Sequence, residues 1–553
     1  MKLLLQLLAA CCVFAAIALG DSEPSAAVIS PEDKVIIDAL AEYGVDVPAL
    51  VDQPALAQSA AKGRLSIPAT ITCRLISALF PRQVYLKDTP QYTEWRGLFW
   101  SQQQSESKPA CIFQPTSSRQ VAIVLLMARL WNCPFAVKSG GHAAFSGASS
   151  IPDGLTIDLQ RLNMIQVASD KKSVKVGPGN RWFDVYKNLE PRGLTAVGGR
   201  VSNIGVGGLT LGGGISFYSA QYGFACDNVN NFEVVVADGR IINANPRSHA
   251  DLYWALRGGG NNFGIVTRFD LAAYPAGDLW AGSRVYIVDD NTRKLLLDAV
   301  VKFAEDWPSD PKAALICNFA YAQGMFVAAM NIEYTEPVEN PPIFSSFEAI
   351  PPMLDTLGLK SLSDVTLEFK ESNPNGLRQN YWTLTVNLDI EMLTFVVDSY
   401  MAGVDPIKNV AGIVPALTLQ VITPDMISKM KKNGGNALGL NPCGRPLLLV
   451  LVNVMWADKA DDEAVLKAIS GIINTIKAEA KARKKLNRFI YMNYASQFQS
   501  VVESYGSQNH KRLMQVARRY DPSQVFQKLQ PGYFKLTGAP DRNPPVGSPA
   551  ARL

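Results

Sequence analysis

One glycine-rich segment, GGRVSNIGVGGLTLGGG (198–214), constrains the fold of this chain more than any other feature. It holds eight glycines in 17 residues. Glycine costs conformational entropy on folding, so a dense set usually marks a backbone that passes close to a ligand. A flexible linker is the alternative, but Val201, Ile204 and Leu209 interleave with the glycines. Apolar residues at this density are typical of a buried segment.

Three more glycine segments accompany this run: KSGGHAAFSG (138–147), GPGNRW (177–182) and RGGGNNFGIVT (257–267). In the first, two glycines follow a predicted strand and precede a histidine. Backbone amides at such a strand end can form a concave nest for phosphate oxygens. Taken alone, the segment is also typical of an ordinary turn with an exposed histidine.

None of these segments is a familiar nucleotide loop. Thr210 stands where a GxGxxG motif starting at Gly205 would need its third glycine, and no segment fits GxxxxGK[ST]. A Rossmann hydride site and a P-loop are therefore excluded. A large phosphorylated ligand held by several backbone segments is left, and a dinucleotide lying extended across a domain would need such a set.

Composition excludes several other classes. With 53 Lys+Arg against 49 Asp+Glu, the net charge of +4 predicts no nucleic-acid partner and no anionic membrane surface. The 48% hydrophobic and 18% charged residues exclude a disordered chain. The chain has three histidines and no CxxC spacing, so we expect no metal site.

The N-terminus, MKLLLQLLAACCVFAAIALG (1–20), predicts a cleaved signal peptide and entry into the secretory pathway, to a secreted or lumenal location. A membrane anchor is the alternative, but the apolar run is short and DSEPS follows it. Cleavage would leave six cysteines, of which some should pair in an oxidising compartment. Their connectivity stays open, because six cysteines allow 15 pairings.

Periodicity divides the mature chain into four regions: 21–105, mostly helical; 106–275, in which short strands and helices alternate; 276–480; and 481–553. We expect a helix over 117–131, a helix starting at Ser248, and hairpins turning at Asp238-Gly239 and near Gly324. PLLLVLVNVMW (446–456) is a buried strand by its length. Alternation over 489–494 predicts a strand with Tyr491 and Asn493 on one face and Tyr494 on the other.

Six motifs in order resemble the berberine bridge enzyme-like flavoproteins of the vanillyl-alcohol oxidase superfamily. They are PFAVKSGGHAAFSG, KVGPGNRW, GVGGLTLGGG, YGFACDNV, DLYWALRGGGNNFGIVT, and YMNY with YDPSQVF. The resemblance covers about 70–275 and 480–535 and is closest to the fungal secreted branch, which includes secondary-metabolite oxidases and oligosaccharide oxidases.

The resemblance implies an α+β fold. A PCMH-type FAD-binding domain of two α/β subdomains would occupy 106–275. A substrate domain with an antiparallel sheet backed by helices would occupy 276–480, and 481–553 would return to the FAD domain. It also implies FAD attached covalently through its 8α-methyl group to His142. The position of a second, cysteine bond in some members corresponds to Val201, so we expect a histidyl bond only.

The resemblance assigns further cofactor contacts by position. The backbone amides that would hold the pyrophosphate are those of Ser139, Gly140, Gly141, Ala143, Phe145, Ser146 and Gly147. The glycines that would pass close to the cofactor are Gly207, Gly208, Gly212 and Gly213. Gly264 and Ile265 would approach the adenine, and Tyr491 and Asn493 would return from the C-terminus to the isoalloxazine.

The implied reaction is oxidation of a small organic substrate, such as an alcohol, phenol or heterocycle. Tyr494 would be the catalytic base, and dioxygen would reoxidise the flavin to give hydrogen peroxide. Ile204 stands at a position that gates dioxygen and is usually valine in oxidases. The alternatives are a carbohydrate oxidase with a groove lined by Phe319, Tyr321, Tyr381 and Trp382, and a flavin-binding protein without turnover. We expect a monomer.

Overall fold

The computed structural model describes residues 30–50, 66–442 and 444–543. The predicted signal peptide lies outside these ranges, and so does Cys443. Within them, no helix is long and apolar enough to cross a membrane. The fold mixes helices and strands, as predicted, and contains three larger sheets.

The first sheet follows an N-terminal group of helices. Its strand order is β1-β2-β4-β3, with β1 antiparallel to β2 and the other pairs parallel. The strands are β1 Val84–Leu86, β2 Cys111–Phe113, β3 Phe135–Lys138 and β4 Leu155–Asp158. The helices are Pro31–Glu42, Val47–Leu50, Ala69–Leu79, Pro90–Arg96, Gln102–Ser105 and Ser118–Leu130.

Local sequence explains two elements of this part. Ser117 caps the helix Ser118–Leu130 by accepting a hydrogen bond from the Gln120 amide, as the sequence predicts. A disulfide between Cys73 and Cys111 ties the helix Ala69–Leu79 to β2. The other described cysteines, Cys133, Cys226 and Cys317, are free and buried.

The second sheet is antiparallel, in the order β5-β6-β10-β8-β9, and a two-stranded pair β7-β11 lies beside it in the chain. Its β8–β9 hairpin confirms the turn predicted at Asp238-Gly239. The strands are β5 Ile165–Val167, β6 Ser173–Val176, β7 Leu194–Thr195, β8 Val229–Val235, β9 Ile241–Ala244, β10 Ile265–Ala272 and β11 Tyr274–Pro275. The helices are Trp182–Leu189, Val206–Leu211, Ser219–Tyr222 and Ala250–Leu256.

The helix predicted to start at Ser248 begins two residues later. His249 occupies the N-cap position with φ 51° and ψ 46°, and Ala250 is the first helical residue. Ser248 instead belongs to a tight turn, in which its amide donates to Asn245 Oδ1 at 2.9 Å. The prediction of a serine cap was therefore wrong, because the serine is used by the preceding turn.

The third sheet has nine strands and is antiparallel throughout. Its order is β15-β12-β14-β13-β18-β19-β17-β20, and β16 also pairs with β12. The strands are β12 Leu279–Ile287, β13 Ala313–Ala322, β14 Met325–Tyr334, β15 Leu354–Asp355, β16 Gly358–Lys360, β17 Arg378–Asn387, β18 Val414–Ile422, β19 Leu447–Trp456 and β20 Leu486–Asn487. The predicted hairpin at Gly324 and strand at 446–456 are confirmed as β13–β14 and β19.

Helices accompany this third sheet, as expected for a sheet with one buried hydrophobic face. They are Asp290–Asp306, Ser345–Glu348, Leu362–Glu371, Ile390–Val404, Pro424–Lys429 and Asp462–Ala482. The chain then returns to the first sheet, where the Phe135 amide donates to the Leu529 carbonyl at 2.7 Å. The C-terminal helices are Val501–Ser504, Ser507–Tyr520 and Val525–Lys528.

The domain boundaries at residues 105, 275 and 480 stay predictions. β1 lies before the first boundary but pairs with β2, and β20 lies after the last but pairs with β17.

Candidate active site

A cavity of about 880 Å³ lies between the glycine-rich segments and the third sheet. Most of the predicted site residues border it. They are Ser139, Gly140, Gly141, His142, Ala143, Phe145, Gly207, Gly208, Gly264, Ile265, Tyr491, Asn493 and Tyr494. Four others, Ser146, Gly147, Gly212 and Gly213, are adjacent in the chain but do not border the cavity.

The loop after β3 offers a row of unused hydrogen-bond donors. Within the described part of the chain, no amide N–H from Gly140 to Gly147 donates a hydrogen bond. Gly141 and Phe145 are nevertheless buried. Buried amides normally have a partner, so consecutive free amides beside a cavity indicate a bound anion.

Close backbone contact explains two of the glycines here, Gly140 in this loop and Gly207 in the glycine run. A Cβ on Gly140 would lie 2.5 Å from the Gly205 amide nitrogen. Gly207 approaches Ser139, whose Oγ accepts from the Gly207 amide at 3.2 Å and donates to the Pro178 carbonyl at 2.6 Å. The first three glycine segments of the sequence therefore meet at one point.

His142 is held by an amide and an indole ring. Its Nε2 lies 3.2 Å from Asn203 Oδ1, and its ring stacks on Trp100 with centroids 4.3 Å apart. Burial, followed by the nearby Arg181 guanidinium, lowers the pKa of His142 to about 3. The imidazole is therefore neutral at ordinary pH.

Arg181 fixes the loop that carries His142. Its Nη1 donates to the carbonyls of Gly140 and Asn203, the latter at 2.7 Å. This one side chain therefore joins the loop after β3 to the segment before the helix Val206–Leu211. Burial lowers the pKa of Arg181 from its usual value, and Asp158 and Asp184 partly oppose the shift.

The segment 490–494 is not the strand that its alternation predicted. Residues Met492–Tyr494 form a 3₁₀ turn, in which the Tyr494 amide donates to the Tyr491 carbonyl at 3.0 Å. Tyr491, Asn493 and Tyr494 consequently all border the cavity instead of lying on opposite faces. The strand prediction was wrong because side-chain bonds to the glycine run bend the backbone here.

Tyr491 and Asn493 make those bonds. The Tyr491 hydroxyl accepts from the amides of Gly214 and Ile215, both at 3.0 Å, and from Asn493 Nδ2 at 3.0 Å. Asn493 Nδ2 also donates to the Leu209 carbonyl at 3.0 Å. A Cβ on Gly212 would overlap Asn493 Oδ1. Both side chains thus fix the end of the glycine run.

Tyr494 has a different environment. Its hydroxyl oxygen accepts from Arg200 Nη2 at 2.6 Å and from Gln420 Nε2 at 3.0 Å. Gln420 lies on β18, so the third sheet and the glycine run both hold this phenol. A guanidinium at this distance stabilises negative charge that develops on the oxygen when a proton moves.

Aromatic rings connect Tyr494 to His142. Tyr381 on β17 contacts Tyr494 edge-on, with centroids 6.2 Å apart, and contacts Trp100 at 5.5 Å. Trp100 stacks on His142. Phe145, at the opposite end of the loop, contacts Tyr533 and Phe534 of the C-terminal segment.

Sequence reasoning missed several residues of the site. Arg200 had a usable signal, because it is the single charged residue inside the run 198–214. Gln420 and Tyr533 had none, since each reaches the cavity from a distant part of the chain. Trp100 and Asn203 contact His142 without bordering the cavity, and neither has a local signal for that contact.

Comparisons with known proteins agree with this geometry. A model described as "FAD binding domain" matches residues 109–245, and one described as "Berberine and berberine like" matches 490–531. "FAD-dependent monooxygenase tpcD" of Cochliobolus heterostrophus is 38% identical over 453 residues, covering 79% of this chain and 87% of the relative. The chain belongs to the berberine bridge enzyme-like family.

A second relative is similar in sequence, and two solved structures are similar in fold. "FAD-dependent monooxygenase FUP4" of Fusarium proliferatum is 36% identical over 450 residues, covering 79% of this chain and 87% of the relative. 6-Hydroxy-D-nicotine oxidase of Arthrobacter nicotinovorans has the same fold, with a TM-score of 0.68 at 20% identity over 80% of this chain and 96% of that one. A xylooligosaccharide oxidase of Myceliophthora thermophila gives 0.68 at 18%, over 84% and 99%.

As a berberine bridge enzyme-like protein, the chain is an FAD-linked oxidoreductase. The described residues fit the cofactor of this family, because free amides suited to a pyrophosphate line one part of the cavity. A methyl group on Gly208 would meet nothing within 4 Å, so the short helix there leaves space on its cavity side.

Proposed function

We propose that this protein is an oxidase that takes hydride from a small organic alcohol, in the manner of secondary-metabolite oxidation, with FAD attached to His142. The observation that carries the proposal is that His142 and the Arg200-bound hydroxyl of Tyr494 border one cavity. A neutral site for covalent attachment and a site for proton removal therefore face the same space.

The surroundings of His142 support a covalent bond through Nδ1. Asn203 Nδ2 donates to Asn375 Oδ1 at 3.1 Å, so Asn203 turns its carbonyl oxygen toward His142. His142 must then donate from Nε2–H, which leaves the lone pair on Nδ1. A neutral imidazole with its lone pair on Nδ1 can act as the nucleophile toward the flavin methyl group.

A second covalent bond has no support. Val201 borders the cavity at the position implied for a cysteine, and none of the described cysteines borders it. We therefore propose a single histidyl attachment.

Tyr494 would remove the substrate proton. Arg200 and Gln420 hold its oxygen from two sides, so the phenol is oriented before substrate binds. Tyr494 would first release its own proton to solvent, and its phenolate oxygen, held by Arg200 and Gln420, would then take the hydroxyl proton of the substrate as the carbinol carbon loses hydride. Bound FAD supplies the two-electron acceptor for that hydride, and dioxygen would receive the electrons to give hydrogen peroxide.

Ile204 borders the same cavity and would control access of dioxygen. The relatives are named monooxygenases, which would place one oxygen atom of dioxygen in the product. Measured peroxide separates the reactions: an oxidase releases one peroxide per substrate consumed, whereas a monooxygenase releases none.

Carbohydrate oxidation, the other reaction considered, has less support. Of the four aromatic residues expected to line a sugar groove, only Tyr381 borders the cavity. Phe319 is in the core, Trp382 stacks on Phe498, and Tyr321 contacts Phe326.

Covalent attachment is tested by acid precipitation of the purified protein. The wild-type pellet should stay yellow and carry the mass of FAD, whereas His142→Ala should lose both. His249→Asn is a matched control outside the cavity, since asparagine tolerates the left-handed backbone at this position. Flavin that stays attached in His142→Ala would overturn the proposed linkage.

The role of Tyr494 is tested by rapid mixing with substrate without oxygen. Tyr494→Phe should bleach the flavin about 100- to 10,000-fold more slowly, the usual contribution of a positioned base. Tyr321→Phe makes the same chemical change outside the cavity and should bleach at the wild-type rate. Equal rates in Tyr494→Phe and wild type would remove Tyr494 from the mechanism.

The predictions for the whole chain have direct tests. Secretion predicts a mature N-terminus at Asp21 when the full chain is expressed in a eukaryotic host. A monomer predicts one species near the mass of the mature chain in sedimentation.

A further inference from the structure

The cavity has a deep end and a mouth, and both are defined by the third sheet. Along β14, exposure rises from 0% at Glu333 to 46% at Met325, with Asn331, Ala329 and Val327 half-buried between them. β12 shows the same gradient, from buried Ala281 to Ile287 at 54%. On β18, Gln420 beside Tyr494 is 4% exposed. The reacting groups therefore lie at the deep end.

A continuous band of neutral polar side chains crosses the middle of this wall. Asn331 Nδ2 donates to Ser283 Oγ at 2.5 Å, and Asn318 Nδ2 donates to Asn331 Oδ1 at 2.7 Å. Thr418 Oγ1 lies 2.7 Å from Asn318 Oδ1 and 3.2 Å from Asn453 Oδ1. All five border the cavity, and they come from five adjacent strands.

Each end of this polar band has a hydrogen-bond donor without an acceptor among the described residues. Among the described residues, neither the Ser283 hydroxyl proton nor the Asn453 amide Nδ2 is donated to a partner. A buried acceptor, Gln420 Oε1, is also without a partner. Unsatisfied polar groups beside a cavity favour a ligand that completes their bonds.

The wall changes character beyond the polar band, toward the mouth. Side chains of one strand face alternate sides of a sheet, so Ile287 shares the cavity face with Val285, and Val327 with Ala329. Leu354 on β15 pairs with Val285, borders the cavity and is 51% exposed. The outer part of the wall is thus aliphatic.

The described sheet wall carries no ionic group toward the cavity. Glu333, one step deeper than Asn331, is fully buried without a partner and does not border the cavity, and burial raises its pKa well above the usual range. The charged residues that border the cavity lie elsewhere: Glu368 is paired with Lys360 at 2.5 Å, Glu371 is exposed, and Arg200 donates to the Tyr494 hydroxyl at 2.6 Å. An ionic substrate would find no partner on the sheet.

We infer that the substrate is a neutral amphiphilic alcohol. Its reacting hydroxyl lies at Tyr494, a second oxygen accepts hydrogen bonds from the polar band, and an aliphatic body extends along Val285 and Leu354 to the mouth. This inference rests on the proposed oxidase function, because that function places the reacting carbon at the deep end.

Binding is tested separately from turnover, by calorimetry on the flavin-loaded Tyr494→Phe protein without oxygen. The probes are decanol, decanediols that differ in the spacing of their two hydroxyl groups, and xylobiose. At least one diol should bind about tenfold more tightly than decanol, since one added hydrogen bond to a buried group contributes that much. Xylobiose should bind weakest.

Two variants in the same protein locate the contacts. Leu354→Glu should weaken the diol about tenfold, the loss expected when roughly two methylene groups lose their apolar neighbour. Its matched control is Leu359→Glu on neighbouring β16, which is 49% exposed and outside the cavity, and which should bind as the parent does. Asn453→Leu should abolish the preference for diol over decanol.

The outcomes distinguish this inference from the proposed reaction. If the diol binds with the expected variant pattern but never bleaches wild-type flavin, the substrate class stands and the oxidase proposal fails. If xylobiose binds as tightly as any diol, if no probe binds, or if Leu354→Glu leaves diol affinity unchanged, the substrate class is overturned. A change in sedimentation alone in Leu354→Glu would assign the mouth to a second copy of the chain.

Discussion

The two sides of the cavity are built from different parts of the polypeptide. On the side of the glycine segments the wall is largely backbone: free amides from Gly140 to Phe145 and glycines packed against one another. On the sheet side the wall is side chains, and five adjacent strands each contribute one residue to the polar band. A backbone wall fits one ligand and tolerates little change, whereas a side-chain wall can be altered residue by residue.

The largest expected effect tests the intolerance of the backbone wall. Gly140→Ala should lower the free energy of unfolding by about 3 kcal/mol and prevent flavin loading, because the new methyl group meets the Gly205 backbone, which cannot turn aside. Gly277→Ala, outside the cavity and with open space around the new methyl group, should unfold and load flavin like the wild type. The measurements are thermal unfolding and flavin content; normal loading of Gly140→Ala would contradict the comparison.

The next effect concerns Arg200, which lies in the glycine run and donates to the Tyr494 hydroxyl. Arg200→Met should slow anaerobic flavin reduction about 100-fold, since a charge-assisted hydrogen bond to Tyr494 is lost where charge develops. Arg192→Met, at an exposed arginine, is the control. A change in substrate affinity with the reduction rate intact would make Arg200 a binding residue only.

A buried amine on the cofactor side gives a pH-dependent prediction. Burial lowers the pKa of Lys535 to about 7, while Asp521 partly opposes the shift, and Nζ donates to Asn261 Oδ1 at 2.9 Å. The unfolded chain keeps this proton up to about pH 10.5, so wild-type stability should rise by about 2 kcal/mol between pH 7 and 9.

Lys535→Met isolates that contribution. Its unfolding free energy should exceed that of the wild type most at pH 7, and the difference should narrow as pH rises. Denaturant unfolding at several pH values measures this difference. If the free energies of unfolding of the two proteins change with pH in the same way, the pKa of Lys535 is not lowered in the folded protein.

The smallest effect is expected on the sheet side. Thr418→Val interrupts the polar band between Asn318 and Asn453 and should lower the free energy of unfolding by about 1 kcal/mol or less, with flavin content unchanged. Thermal unfolding and flavin absorbance check both statements. Loss of flavin in this variant would show that the side-chain wall is as intolerant as the backbone wall.

The same difference explains what the sequence could predict. Glycine density is a local signal of close backbone approach, so the four glycine segments taken together predict a phosphorylated ligand, although 138–147 alone is also typical of an ordinary turn. The polar band has no local signal: Ser283, Asn318 and Asn453 are ordinary residues in hydrophobic strands, and only the register of β12, β13 and β19 brings them together. The alternation around Tyr494 predicts the wrong local structure, because distant contacts of Tyr491 bend the chain.

The return of the C-terminal segment sets the order of events during biosynthesis. Tyr491, Tyr533 and Phe534 complete the lining of the cavity, yet they are synthesised after the glycine segments and after the sheet strands that border it. Until these residues are synthesised, the Gly214 and Ile215 amides lack their bonds to the Tyr491 hydroxyl, and Phe145 in the loop that carries His142 lacks its contacts with Tyr533 and Phe534. Prosthetic-group loading must therefore follow translation, and a chain that stops before residue 490 is expected to stay colourless however well its first sheets assemble.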